Sequence, residues 1–176
     1  MTATTPEFLP VNIAVLTVSD TRTLEDDRSG DTLVERLTQA GHKLADRAII
    51  KDDASLIADQ FRKWCDDPEV DCIISTGGTG VTGRDVTPEA LDAVAEKIIP
   101  GFGEMFRWIS YQKIKSSTIQ SRASAGVANG TYIFVLPGST GACKDGWDEI
   151  LVHQLDIRHK PCNFVELMPR LKEHLA

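Results

Sequence analysis

Val11 to Val18, reading VNIAVLTV, is a short β-rich apolar run that stops at the polar segment Ser19-Asp20-Thr21-Arg22. That is the pattern of a buried strand opening into a loop. The loop continues through Glu25-Asp26-Asp27 to Ser29-Gly30, where Ser29 is expected to cap a helix carrying Leu33, Leu37 and Ala40 on one face, closed by Gly41. A second strand over Ala45 to Ile50 leads into Lys51-Asp52-Asp53 and a helix from about Ala54, with Ile57, Phe61 and Trp64 along one stripe. Asp71 to Ser75 reads as the third strand, followed by Thr76-Gly77-Gly78-Thr79-Gly80 and by a helix with Thr87 as its N-cap and Pro88 as its first residue. Gly101-Phe102-Gly103-Glu104 reads as a turn before a helix bearing Met105, Phe106 and Ile109. The fourth core strand, Tyr132 to Leu136, ends at Pro137-Gly138-Ser139 before a helix holding Trp147, Ile150 and Leu151.

Alternating strands and helices predict an α/β fold: a mainly parallel sheet flanked by helices on both faces, in three layers. Ligands of such sheets lie beyond the carboxyl ends of the strands, so the segments after Val18, Ile50, Ser75 and Leu136 are expected to meet. A length of 176 residues fits one domain, 1–176, with flexible ends at about 1–10 and 169–176. Trp64, Trp108 and Trp147 fall on apolar helix faces and are assigned to the core or to a subunit interface.

Composition narrows the function. Hydrophobic residues at 41% and charged residues at 26% are an ordinary globular balance. Neither a signal-peptide pattern at the start nor an apolar run of membrane-spanning length is present, so a cytoplasmic protein with no membrane partner is expected. A net charge of −7 argues against nucleic acid as a partner. A phosphate ligand would be small, held by backbone amides, a metal ion and a few arginines. Cys65, Cys72, Cys143 and Cys162 show no metal-ligand spacing and read as reduced thiols.

The segment Thr76 to Gly80 follows a strand, where successive backbone N–H groups can form an anion-binding concavity; a tight surface turn is the equal alternative. It is not a P-loop, because Arg84-Asp85 stands where Lys-Ser/Thr is required, and the dinucleotide fingerprint fails because the helix it should open starts only at Pro88. Asp85 is placed to hold Mg²⁺ beside a phosphate, or to be a helix-start aspartate. Asp52 and Asp53 carry the same ambiguity. Arg122, after Ser121, is either a bidentate phosphate clamp or a solvated arginine, and Glu104 on its own reads as a capping or surface residue. His42, His153, His159 and His174 form no nucleophile arrangement with Ser or Cys.

Taken together, TVSD at Thr17 to Asp20, Ser29-Gly30, STGGTG at Ser75 to Gly80, RDVTPEA at Arg84 to Ala90, GFGE at Gly101 to Glu104, Ser121-Arg122 and LPGS at Leu136 to Ser139 resemble the MoaB/MogA family of molybdenum cofactor biosynthesis proteins. CKDGW at Cys143 to Trp147 and LDIRHKPCNF at Leu155 to Phe164 look like its bacterial MoaB branch. The resemblance implies a molybdopterin-binding domain that, in catalytic members, transfers AMP from Mg-ATP to the terminal phosphate of the pterin and releases pyrophosphate. A non-catalytic pterin carrier or scaffold is the alternative in the same pathway. By motif match, Asp85 and Asp52 fall on the metal-binding and catalytic aspartates, with Asp53 as an alternative to Asp52. The ligand pocket falls on Ser19, Thr76, Gly77, Gly78, Thr79, Gly80, Glu104, Ser121, Arg122, Pro137, Gly138 and Ser139. The resemblance further implies a homotrimer or homohexamer and contact with other molybdenum cofactor enzymes. Thr140 departs from catalytic relatives, which often have another proline there.

Overall fold

In a computed structural model that describes residues 6–175, six strands form one sheet in the order β2-β1-β3-β6-β5-β4. The strands are β1 (Asn12–Val18), β2 (Lys43–Ile50), β3 (Cys72–Thr76), β4 (Lys97–Ile98), β5 (Ser124–Ala128) and β6 (Thr131–Leu136). The pairs β2/β1, β1/β3 and β3/β6 are parallel, while β5 pairs antiparallel with both β6 and β4. The mainly parallel sheet is therefore as expected, but its antiparallel extension through β5 and β4 is not legible as strand in the sequence. SAGVA at Ser124 to Ala128 is made mostly of small residues, and β4 is only two residues long.

The apolar run of β1 is continuous because its two faces meet different helices. Ile13 and Val15 join Leu33 and Leu37 of α1 (Arg28–Gln39), Phe102 and Phe106 of α4 (Pro100–Ile114), and Cys143 of α5 (Thr140–Gly146). Ala14, Leu16 and Val18 pack on Ile57, Phe61 and Trp64 of α2 (Ala54–Cys65) and on Leu91 of α3 (Thr87–Asp92). Each face thus buries its own core, in the three layers predicted. The connection through α1 places β2 on one side of β1, and the connection through α2 returns to place β3 on the other. The crevice beyond β1 and β3 is therefore the topological switch point of the sheet.

Several local expectations are corrected by caps. Asp27, not Ser29, caps α1: its carboxylate accepts from Gly30 N at 3.0 Å, and Ser29 lies inside the first turn. Thr87 does not cap α3; its buried hydroxyl donates to Gly77 O at 2.9 Å, and Val86 holds the cap position without a side-chain bond. Gly101 to Glu104 is not a turn but the opening of α4, entered through Pro100. Beyond Gly146 the chain stays helical through a π-helical turn, Trp147–Leu151, into Val152–Gln154. Trp64 and Trp147 are buried, whereas Trp108 is 66% exposed and is not a core residue. Cys65, Cys72, Cys143 and Cys162 are free thiols.

Of the ends expected to be flexible, residues 1–5 and 176 lie outside the described residues. Phe8 packs against His42, with ring centroids 5.1 Å apart, and beneath the guanidinium of Arg158. Residues Met168–Arg170 and Glu173–Leu175 form short 3₁₀ turns.

Candidate functional site

The four strand-end segments converge. Ser19 N donates to Ile50 O at 2.8 Å, Asp52 N reaches Asp20 Oδ1 at 3.3 Å, and Gly77 N donates to Leu136 O at 3.0 Å. Between them opens a cavity of ≈ 450 Å³, the size of small-molecule sites in general. Of the residues assigned to the site from sequence, Ser19, Asp52, Gly77, Gly78, Thr79, Gly80, Asp85, Ser121, Pro137, Gly138 and Ser139 line it.

The glycines of the loop after β3 are steric requirements. Gly77 has φ +105, and a Cβ there would meet Val18 O at 2.2 Å; Gly78 has φ +65. A Cβ on Gly78 would also lie 3.1 Å from Asp52 Oδ1, and one on Gly80 would lie 2.7 Å from Asp85 Oδ2. The loop therefore makes room for one carboxylate at each of two neighbouring places. On the far side, a Cβ on Gly138 would come within 3.2 Å of Gly77 Cα, so the loops after β3 and β6 touch through main chain.

The two aspartates differ electrostatically. Burial pushes the Asp52 carboxyl above its ordinary value, reinforced by the charges of Asp20 and Asp85 and opposed by Arg84. Asp85 is held below its ordinary value, first by the Thr82 hydroxyl, which donates to Oδ2 at 2.6 Å, and by the Thr82 and Gly80 amides. Asp53 separates from its neighbour: its carboxylate caps α2, accepting from Ser55 N at 2.9 Å and Leu56 N at 3.1 Å, and it does not line the cavity. Of the two aspartates left open by the sequence, Asp52 is the one that faces the cavity.

Three assigned residues stand back from the cavity. Thr76 is fully buried, and its hydroxyl donates to Pro137 O at 2.9 Å, so it ties β3 to the loop after β6 from behind. Arg122, expected to clamp a phosphate, instead braces the glycine loop: Nε donates to Gly80 O at 2.7 Å, Nη2 to Asp85 O at 2.7 Å, and Nη1 pairs with Glu89. Glu104 projects from α4 as an exposed residue outside the lining, because the face of that helix turned to the cavity carries Phe106, Ser110 and Ile114.

Those three residues were missed from sequence, although their i, i+4, i+8 spacing marks one helical face once the helix is known to start at Pro100. A neighbouring groove of ≈ 470 Å³ shares Ser110, Ile114, Ser139 and Ala142 with the cavity and extends between α4 and α5 towards Lys113, Lys144 and Asp145. The whole is a glycine-floored pocket with an apolar wall from α4, of the size that small organic ligands occupy.

Hard oxygen donors from Asp52, after β2, and Asp85, after β3, fit Mg²⁺, which is commonly held by one or two carboxylates together with substrate phosphates. Among the described residues no group of three or more His, Cys, Asp or Glu is arranged to hold a metal, so a closed protein cage for the ion is not what these residues build.

Comparison with known proteins bears on the family and the fold. Residues 14–157 match a family profile described as "Probable molybdopterin binding domain". Molybdenum cofactor biosynthesis protein B of Escherichia coli (strain K12) is 46% identical over 173 residues, covering 98% of this chain and 100% of that protein. The protein of the same name from Bacillus subtilis (strain 168) is 42% identical over 146 residues, 82% of this chain and 86% of that one. A crystal structure of molybdenum cofactor biosynthesis protein B superposes with a TM-score of 0.81 at 42% identity, over 84% of this chain and 92% of that chain. The tungsten cofactor synthesizing protein MoaB from Pyrococcus furiosus gives 0.72 at 32% identity, over 81% and 91%.

Proposed function

Since the chain belongs to the MoaB/MogA family of molybdenum cofactor biosynthesis proteins, we propose that its cavity binds molybdopterin together with Mg-ATP and catalyses adenylyl transfer between them. An oxygen of the terminal pterin phosphate attacks the α-phosphorus of ATP, the bond from that phosphorus to the β-bridging oxygen breaks, and pyrophosphate leaves. No covalent enzyme intermediate is required, so the absence of a Ser-His or Cys-His pair among the lining residues is consistent with this chemistry.

The observation that carries the reading is the pair of carboxylates, Asp52 and Asp85, set against one glycine loop at the switch point of the sheet. Asp85 and Asp52 would hold Mg²⁺, which supplies charge neutralisation on phosphate oxygens when bound. Main chain from Gly77 to Gly80 lets phosphate approach closely, Ser19, Ser121 and Ser139 offer hydroxyls, and Arg122 keeps the loop in shape. Phe106 and Ile114 give the ring system an apolar wall.

The test is to mix purified protein with molybdopterin, ATP and Mg²⁺ and follow pyrophosphate and adenylylated pterin. Asp85→Asn is expected to lower turnover about 100-fold or more. Tight pterin binding with no adenylylated product in the wild type would replace the enzyme by a carrier or scaffold. In this role the protein works in the cytoplasm, alongside other molybdenum cofactor enzymes, as a homotrimer or homohexamer. The exposed Met105, Trp108 and Tyr111 on α4 support such assembly, and Trp108→Glu is expected to shift the mass seen by sedimentation towards the monomer. An unchanged mass would move the interface elsewhere.

A further inference from the structure

The two charged side chains lining the cavity, Asp52 and Asp85, are both negative, and Arg122 has its guanidinium bonded to Gly80 O, Asp85 O and Glu89. A polyphosphate entering here meets carboxylates without a cation in contact. Arg84, immediately before Asp85, is a cation standing just outside that lining. Its side chain is 66% exposed, and its hydrogen bonds run to one partner, Asp20: Nε to Oδ2 at 3.1 Å and Nη2 to Oδ1 at 2.6 Å. Asp20 lies on the loop after β1, where its Oδ1 also accepts from Asp52 N at 3.3 Å. The pair thus spans from the β1 loop to the glycine loop, directly beside the carboxylate expected to work on the substrate.

We propose that Arg84 is a phosphate-binding residue held in reserve by Asp20, and that a nucleotide triphosphate takes its guanidinium over from that carboxylate. This rests on the adenylyl-transfer reading and names the side chain that meets the polyphosphate. Physical chemistry favours the exchange. An exposed ion pair is weakly held, whereas a guanidinium presents a planar fork to which phosphate oxygens bind in pairs. In the resting state Asp20 takes both Nε and Nη2 of the guanidinium.

The experiment measures binding of ATP and of inorganic tripolyphosphate, each with Mg²⁺, to the full chain by calorimetry, with thermal melts to show that every variant folds. Arg84→Gln is expected to weaken both ligands about 10-fold or more, and Asp20→Asn to tighten them a few-fold by releasing the arginine. Arg84→Lys keeps the charge but loses the fork, and is expected to recover only part of the loss. If the pair were merely a structural strap, both neutral variants would weaken binding alike, and that result would overturn the proposal. So would Arg84→Lys binding as the wild type does, since charge alone would then suffice. A wild type that binds molybdopterin but neither polyphosphate would bring down the adenylyl-transfer reading and this inference together; unchanged binding in Arg84→Gln would bring down the inference alone.

Discussion

Asp52 and Asp53 are adjacent, chemically identical, and assigned by their surroundings to different tasks. Asp53 closes the open amides at the start of α2, and Asp52, one residue earlier, turns into the cavity. Asp53→Ala is therefore expected to lower Tm by about 2–4 °C while leaving pyrophosphate release near that of the wild type. Asp52→Asn is expected to do the reverse. A loss of turnover in Asp53→Ala without a change in Tm would exchange the two assignments. Asp27 shows the same economy of position. Although it sits in a stretch of three acidic residues, its side chain is 1% exposed, accepts from Thr17 Oγ1 at 2.7 Å and Arg47 Nη2 at 2.8 Å, and caps α1 as well. Nothing in the sequence around Glu25-Asp26-Asp27 distinguishes the buried member, because its burial depends on Arg47 arriving from β2.

At the level of elements, α4 is where sequence reasoning and structure part most. Two glycines within four residues read as a turn, yet the helix accommodates both for different reasons. A Cβ on Gly103 would lie 2.2 Å from Ala123 O, so this glycine lets the helix press onto the chain entering β5. A Cβ on Gly101 meets nothing within 4 Å. Gly101→Ala is expected to raise stability by up to about 1 kcal/mol through helix propensity, and Gly103→Ala to lower it by about 1–3 kcal/mol through overpacking, both read from urea unfolding. Equal effects would mean that the contact with Ala123 is not tight. The parallel strands were legible because their two-sided burial produces uninterrupted apolar runs, as in Val11 to Val18. The antiparallel edge was not, because β5 gains its place from pairing with β6 across the Asn129-Gly130 turn rather than from its own side chains. The pocket floor was legible as a motif; its α4 wall was hidden behind the misread helix start.

For the whole molecule, acid stability should fall in two stages. His42 is buried against Phe8 and Trp147, its Nδ1 accepts from Val11 N at 3.1 Å, and burial holds it below its ordinary value of 6.5 despite the charge of Asp156. The unfolded chain thus takes up the proton first, so this contribution is whole above about pH 6.5 and is lost as pH falls towards the folded value. Asp27 titrates lower: burial would raise it, but the bonds from Arg47, Thr17 and Gly30 win, and its contribution stands above about 3.8 and fades beneath that. Urea midpoints measured against pH should show both descents, and His42→Gln should erase the first; a single descent below pH 4 would sink the histidine part. At this scale the contact of Gly77 with Gly138 has a different consequence. Because the bottom of the pocket is peptide backbone locked between two strand ends, it meets a ligand with main-chain atoms and admits side chains at Gly77 only at the cost of a clash, while on the helical wall Ile114, 53% exposed, is free to vary. Descent with modification in such a protein would alter which ring system is admitted long before it altered how the phosphate is gripped.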